Sequence, residues 1–566
     1  MAATCSLVAL DWGIIAAYFG VIAAIACWAA RRQRDTEDYF LAGRDVGFFA
    51  VGCSLLASNV GSEHIVGLAG QGATTGMGMA HWELHSWIIV LLAYFFVPFY
   101  YRTGVFTMPE FLERRFDARA RWILSLVSLT AYVLTKVSVT VYAGALVFQS
   151  LLPDTFGSPQ AAFWVGALST VVLTGIYTVF GGMRAVIYTE SLQTVVFLVG
   201  AALVTVFGLE RLGGWGELQA ALRPHAGQFA LWRPLDDPQF PWLGLIIASP
   251  IVGIWYWCTD QYIVQRTLAA RDLVSARRGA LFGGLLKLAP IFIFLVPGMI
   301  GFALHQKGAI AIPLHDTPTG PALHGDQVFA TLVTSLLPPG IRGLVVACLL
   351  SALMSSLASL FNSSATLFTV DIYEKLRPGR SERHLVRVGR IATVVVVLLG
   401  ILWIPVMARV SGGGLYQYLQ NVQGYLAPPI TAVFLLGMLW KRINATGAVW
   451  GLAVGFLLGL GKLTIQTFFG TGKLAAPTLL AAVGDFNFLY ATGILFVVSA
   501  AVVCAASLLT APPADEAVRG LTWGGVWAEA GDEMRRSWDP VNRLLAALVL
   551  GGVAAVYLYF SVWLSE

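Results

Sequence analysis

Inside long apolar runs of this chain stand Glu63, His64, Glu83, His85, Lys136, Glu190, Asp260 and Lys287. Ionisable groups are costly in such surroundings. Each is expected to pair with another group, to snorkel from a helix end, or to hold an ion or polar solute. A second pattern is made of hydroxyls. Ser351, Ser355, Ser359, Ser363 and Thr366 recur in steps of four and three, which sets them on one helical face, and Ser356 adjoins them. Such a stripe suits close packing of membrane helices by small residues. It equally suits a hard monovalent cation, whose water neutral hydroxyls and free carbonyls can replace. A third pattern is interruption. The run Leu55-Leu56-Ala57-Ser58-Asn59-Val60-Gly61-Ser62-Glu63-His64 turns small and polar inside an apolar stretch. Another, Ala248-Ser249-Pro250-Ile251-Val252-Gly253, precedes Trp255-Tyr256-Trp257. Pro250 removes a helical hydrogen bond and Gly253 loosens the turn. Both stretches are expected to unwind and free carbonyls, although Gly and Pro also make ordinary kinks in membranes.

These side chains need elements that hold them at depth in a bilayer. The chain has 566 residues, of which 57% are hydrophobic and only 12% charged. About a quarter of an ordinary soluble domain is charged, so a soluble globule, a nucleic-acid-binding protein and a disordered tail are excluded. A helix needs about 20 apolar residues to span a bilayer. Fourteen runs qualify, near 11–30, 48–70, 83–101, 122–149, 161–180, 187–209, 241–262, 281–304, 341–369, 388–409, 413–438, 446–467, 489–511 and 543–563. Nothing alternates as barrel strands do, so the expected fold is an all-α integral membrane protein. The two interrupted runs each open a block of five helices. Broken helices at matching positions of two halves point to a secondary transporter built from inverted repeats.

Basic residues give the orientation. Of the 36 Lys and Arg, only Arg211, Arg223, Arg233, Lys307, Arg342 and Lys473 fall in one set of alternate loops. The other set holds most of the rest, which makes it cytoplasmic and puts both termini outside. The run 10–30 lacks a basic leader and is long enough to span, so it reads as a retained helix. Six cysteines are scattered without a CxxC pair, and neither a disulfide framework nor a zinc site is suggested. No nucleotide-binding, metalloprotease or kinase signature stands in loop context, and the chain reads as a non-enzyme.

Several stretches together resemble the sodium/glucose cotransporters of the sodium:solute symporter family over nearly the whole length. They are Ser58-Asn59-Val60-Gly61-Ser62-Glu63-His64-Ile65-Val66-Gly67-Leu68-Ala69-Gly70, Thr107-Met108-Pro109-Glu110 and Gly181-Gly182-Met183-Arg184-Ala185-Val186-Ile187-Tyr188-Thr189-Glu190. Trp255-Tyr256-Trp257-Cys258-Thr259-Asp260-Gln261, Ser355-Ser356-Leu357-Ala358-Ser359-Leu360-Phe361-Asn362-Ser363 and Tyr425-Leu426-Ala427-Pro428-Pro429 extend the likeness. The resemblance implies a LeuT-like core of five plus five inverted helices, one helix before it and three after. The chain then divides into a leading helix and first cytoplasmic loop (1–47), a first repeat (48–209), an extracellular loop (210–240), a second repeat (241–440), and three trailing helices (441–566) with a cytoplasmic segment at 512–542.

The same resemblance implies the site. Sodium falls on the carbonyls of Ala57, Val60 and Ala352 and the hydroxyls of Ser355 and Ser356. Sugar falls on Asn59, His64, Glu83, Tyr256, Trp257, Lys287 and Gln420, types that can donate to and accept from hydroxyls or stack on a pyranose. Tyr256 closes the pocket on its inner side, and Leu68, Trp82 and Tyr416 form the outer gate. Ser58, Glu190 and Ser359 mark a possible second ion site. There Ala358 replaces a hydroxyl and Glu190 an Asp, which favours one sodium per sugar. Gly253 stands where sugar-carrying relatives put a polar side chain, and Glu63 where some have Gly. The implied function is symport of sodium with a hexose such as glucose or galactose across the plasma (inner) membrane. The alternatives are an inositol or sugar-acid symporter, a sugar sensor or sodium channel that accumulates no sugar, and proton coupling through Glu190, Glu63 or His64. The partners are sodium, a small sugar and the bilayer, with no nucleic acid.

Overall fold

The computed structural model describes residues 7–31, 35–153, 155–317, 320–410, 415–470 and 479–565. Among the described residues, twelve helical stretches are long and apolar enough to cross a membrane. Two of them fold back on themselves. Pro159–Leu212 runs through Gly182, whose φ of 51° and ψ of −157° reverse the chain into two spans. Positive φ there suits glycine and would strain a side chain. Glu63–Thr103 joins the second half of one broken span to the whole of the next, and Phe48–Asn59 supplies the missing first half. With these divided, the count agrees with fourteen spans.

The first break lies where the small, polar run placed it. Helix Phe48–Asn59 stops at Val60, whose ψ of 106° is extended. A π-helical turn, Glu63–Leu68, and helix Ala69–Thr75 follow. The second break does not lie at 248–253. Helix Trp242–Ile254 continues through Pro250 and Gly253, widens to a π turn over Trp255–Thr259, and breaks at Asp260 (φ −80°, ψ 125°) before Gln261–Leu268. Proline's φ is itself helical, and one lost hydrogen bond is tolerated when neighbours re-satisfy the backbone. Just beyond the proline, Thr431 Oγ1 donates to the Ile251 carbonyl at 2.9 Å, bracing the turn that continues the helix. At Asp260 the cause is long-range: Lys136 Nζ lies 2.6 Å from Asp260 Oδ2, and Tyr132 Oη donates to Oδ1.

The paired arms Pro159–Leu212 pack along Ile341–Thr366, joining the two five-helix blocks through the hydroxyl-bearing helix. Ala9–Ala30 leans on both. The trailing helices Ala445–Phe469, Phe488–Leu508 and Pro540–Val562 lie at the flank, the last against Leu273–Leu286. The charged segment before it is clamped to the core. Arg277 Nη1 donates to Met534 O and Ser537 Oγ, both at 2.8 Å, and Arg278 pairs with Asp539 at 2.6 Å. Among the described residues one sheet departs from the helical pattern: a two-stranded antiparallel ribbon, Leu314–Thr317 with Gly320–Leu323, in the long loop after Gln306.

Candidate functional site

At the first break the backbone gives up its helical partners. In an unbroken helix the Gly61 amide would point at the Ala57 carbonyl. It donates instead to His64 Nδ1 at 3.4 Å. The Ala57 carbonyl accepts from Ser355 Oγ at 2.9 Å, and the same hydroxyl reaches Ala352 O at 2.9 Å. Ser58 O accepts from Ser356 Oγ at 3.4 Å and from Tyr262 Oη. Ala57, Ala352, Ser355 and Ser356 thus meet as one cluster of neutral oxygens, all buried. Among the described residues the Val60 carbonyl is not hydrogen-bonded into that cluster.

One turn inward, a carboxylate replaces the neutral set. Glu190 accepts from Ser54 Oγ and Ser359 Oγ, and from Ser58 Oγ at 3.4 Å. Ser58 and Ser359 also touch at 2.8 Å. A guanidinium stands beside them: Arg266 Nη2 lies 3.6 Å from Glu190 Oε1, both side chains at 0% exposure. The serine stripe therefore serves more than one purpose. Ser351 satisfies its own helix at Ala347 O, Ser355 and Ser356 face the first break, Ser359 faces Glu190, and Ser363 donates to Gln265 at 3.0 Å.

Between the broken helices lies a cavity lined by Asn59, Glu63, His64, Trp82, Glu83, His85, Lys136, Thr140, Tyr256, Trp257, Lys287, Gln420 and Gln423, among others. Its walls are charged and mutually paired. Lys287 Nζ donates to Glu83 Oε2 at 2.5 Å, and the two are 2% and 1% exposed. His64 sits between two carboxylates, with Nδ1 3.7 Å from Glu63 and Nε2 3.9 Å from Glu83. Because Nδ1 already accepts from Gly61, the proton of a neutral ring belongs on Nε2, towards Glu83. Lys136 is enclosed by the rings of Tyr132, Trp255, Tyr256 and Tyr262 at 4.3–5.1 Å. Beneath the cavity a polar chain ties the breaks together. Asn59 Nδ2 donates to Tyr256 Oη at 3.1 Å, Tyr256 and Tyr262 hydroxyls touch at 3.1 Å, and Tyr262 reaches Ser58 O. Several buried atoms on the wall have no hydrogen-bond partner among the described residues: Asn59 Oδ1, Trp82 Nε1 and Gln420 Oε1.

A model of the sodium:solute symporter family matches residues 39–455. Sodium/glucose cotransporter 1 of Oryctolagus cuniculus is 37% identical over 546 residues, covering 91% of this chain and 81% of that protein. The chain belongs to the sodium:solute symporter family. It is therefore a sodium-coupled membrane transporter rather than an enzyme, with sodium as the co-transported ion. Sodium/myo-inositol cotransporter 2 of Homo sapiens is also similar, 39% identical over 536 residues, with 91% of this chain and 78% of that protein covered. Among solved structures, a substrate-bound, outward-open Na+-coupled sialic acid symporter shares the fold. Its TM-score is 0.73 at 23% identity, over 89% of this chain and 98% of that one.

In this symporter the residues expected around sugar share one cavity, as Asn59, His64, Glu83, Tyr256, Trp257, Lys287 and Gln420 all line it. Of the expected gate, Leu68 is fully buried and Trp82 5% exposed, its ring 6.2 Å from that of Phe488 on a trailing helix. The side chain of Tyr416 lies outside the described residues. Glu63 turns back beneath Gly61, where it accepts from Thr140 Oγ1 at 3.2 Å and neighbours His64. The sequence reading of the site omitted Lys136, Thr140, Tyr262, Ser54, Arg266 and Gln423. Lys136 carried a signal as a lone cation in an apolar run; the others are ordinary until the helices meet.

Proposed function

We propose that this symporter carries a neutral polyol, a hexose such as glucose or galactose, inward with one sodium ion by alternating access. The observation that carries the reading is a shared backbone gap. Ala57 presents its carbonyl to Ser355, and Asn59, two residues on, presents to the cavity an oxygen with no partner among the described residues. Sodium on the carbonyls of Ala57, Val60 and Ala352 and the hydroxyls of Ser355 and Ser356 fixes the very turn that positions Asn59. By linkage, sugar must tighten sodium equally.

The charge count supports a neutral solute. Glu63 and Glu83 line the cavity together with Lys136 and Lys287, Lys287 is paired with Glu83, and Lys136 is paired with Asp260 behind the wall, so no unpaired lysine is left to attract a sugar acid. At the second expected ion site, Arg266 already stands where a cation would neutralise Glu190, which supports a single sodium. Inositol is the second reading, favoured by the similarity to a sodium/myo-inositol cotransporter.

Tyr256 serves as the inner gate through its bonds to Asn59 and Tyr262, and Leu68, Trp82 and Tyr416 as the outer one. The repeats are taken as 48–209 and 241–440. The basic loops support an orientation with both termini outside, and the membrane proposed is the plasma (inner) membrane. Purified protein in liposomes tests the reading. Labelled glucose, galactose and inositol are offered with an inward sodium gradient, then potassium, then a proton gradient. Concentrative, sodium-dependent uptake of one neutral polyol is expected. Sodium current without accumulation, or uptake driven by protons alone, overturns it.

A further inference from the structure

His85 is on the cavity wall but outside the residues assigned to sodium, sugar or the gates. It stands at the turn between helices Ala80–Glu83 and Ser86–Leu91, facing Trp242–Ile254. Opposite is Gly253. A Cβ placed there would lie 2.2 Å from Ile88 Cδ1 and 3.2 Å from both Cε1 and Nδ1 of His85. Ile88 and the imidazole edge together thus occupy the room that a side chain on the second broken helix would take. Its Nε2 is anchored 2.8 Å from Ser249 Oγ, one turn before Gly253. Ser249 has no other hydrogen-bond acceptor among the described residues, so its hydroxyl proton is satisfied when it donates to Nε2. That assignment puts the ring proton on Nδ1. His85 is 3% exposed, and Nδ1 makes no hydrogen bond among the described residues.

We infer that His85, locked by Ser249 as the Nδ1–H tautomer, is a specificity-determining donor to one substrate oxygen, supplied from the first repeat where Gly253 leaves the second without a side chain. The inference rests on the polyol reading above. A neutral N–H donor reads a hydroxyl or ring oxygen that is free to accept, so it discriminates among sugars at one carbon.

The test uses the two amides that mimic the two ring nitrogens. His85→Asn places an amide near the position of Nδ1; His85→Gln places one near Nε2, where it can keep Ser249. With the labelled polyol that wild type accumulates, H85Q and H85A are expected to raise the half-saturating concentration about 5- to 20-fold, with sodium half-saturation unchanged when titrated at saturating polyol. H85N recovers most of that loss. A purely structural role through Ser249 gives the opposite order, with H85Q near wild type and H85N impaired, and overturns the inference. A panel of monodeoxy analogues names the oxygen: one analogue loses affinity on wild type and loses nothing further on H85Q. If no analogue behaves so, the inference also fails. Ser249→Ala, which leaves the ring in place and frees only the tautomer, covers the case of poor folding. At least a twofold loss of affinity is expected, and none refutes the lock. Absence of polyol uptake by wild type would instead overturn the proposed function.

Discussion

Lys287 and Glu83 form a buried ion pair at 2.5 Å, and neutralising one partner at a time separates its role in the fold from its role in binding. Lys287→Met leaves a carboxylate at 1% exposure with the His64 Nε2 3.9 Å away. Glu83→Gln leaves an ammonium at 2% exposure facing the Trp257 ring at 5.9 Å. Stranding one charge of a buried pair costs roughly 3–5 kcal/mol. The double variant strands neither, and a neutral, similarly sized pair is close to cost-free. Both singles should therefore melt well below wild type in detergent, and the double should recover most of the difference. Uptake should behave otherwise. A charge-assisted hydrogen bond contributes about 1.5–3 kcal/mol, and 1.4 kcal/mol is tenfold. The double variant should need about ten- to hundredfold more sugar for half-saturation while remaining folded. The assays are thermal melting by tryptophan fluorescence and sodium-driven uptake in liposomes on the same preparations. The reasoning is refuted if the double melts as low as the singles, since the penalty is then not one of stranded charge. It is equally refuted if the double regains wild-type sugar affinity, since the pair then only supports the fold.

Ser355→Ala and Ser356→Ala should raise half-saturating sodium by roughly tenfold each while sugar uptake at saturating sodium persists, measured by sodium titration of uptake; unchanged sodium dependence removes these hydroxyls from the ion site. The reversal potential of sugar-coupled current should give one charge per sugar, because Arg266 lies 3.6 Å from Glu190; a ratio of two contradicts that reading. Gly298→Ala should destabilise the protein by at least about 1–3 kcal/mol, since its Cβ would lie 1.9 Å from the Ala69 carbonyl where two core helices cross; a melting point equal to wild type disproves the close crossing.

Much of this architecture is local and so legible in the residues themselves. Spans follow from apolar length, and the first break from a run of small polar residues at 57–62 that neither packs like lipid-facing helix nor holds its backbone. The row from Ser351 to Thr366 follows from helical spacing. The second break was not local. Pro250 and Gly253 lower the cost of a kink, but the chain stays helical there and opens at Asp260, because Lys136 and Tyr132 on another helix hold that carboxylate in place. The same holds for Glu83 with Lys287, Glu190 with Arg266 and three serines, and His85 over Gly253. In hydrocarbon a polar group survives only with a partner, and partners from distant helices are chosen by packing. The sequence could therefore say which groups would have to be satisfied, and the tertiary structure alone decided by whom.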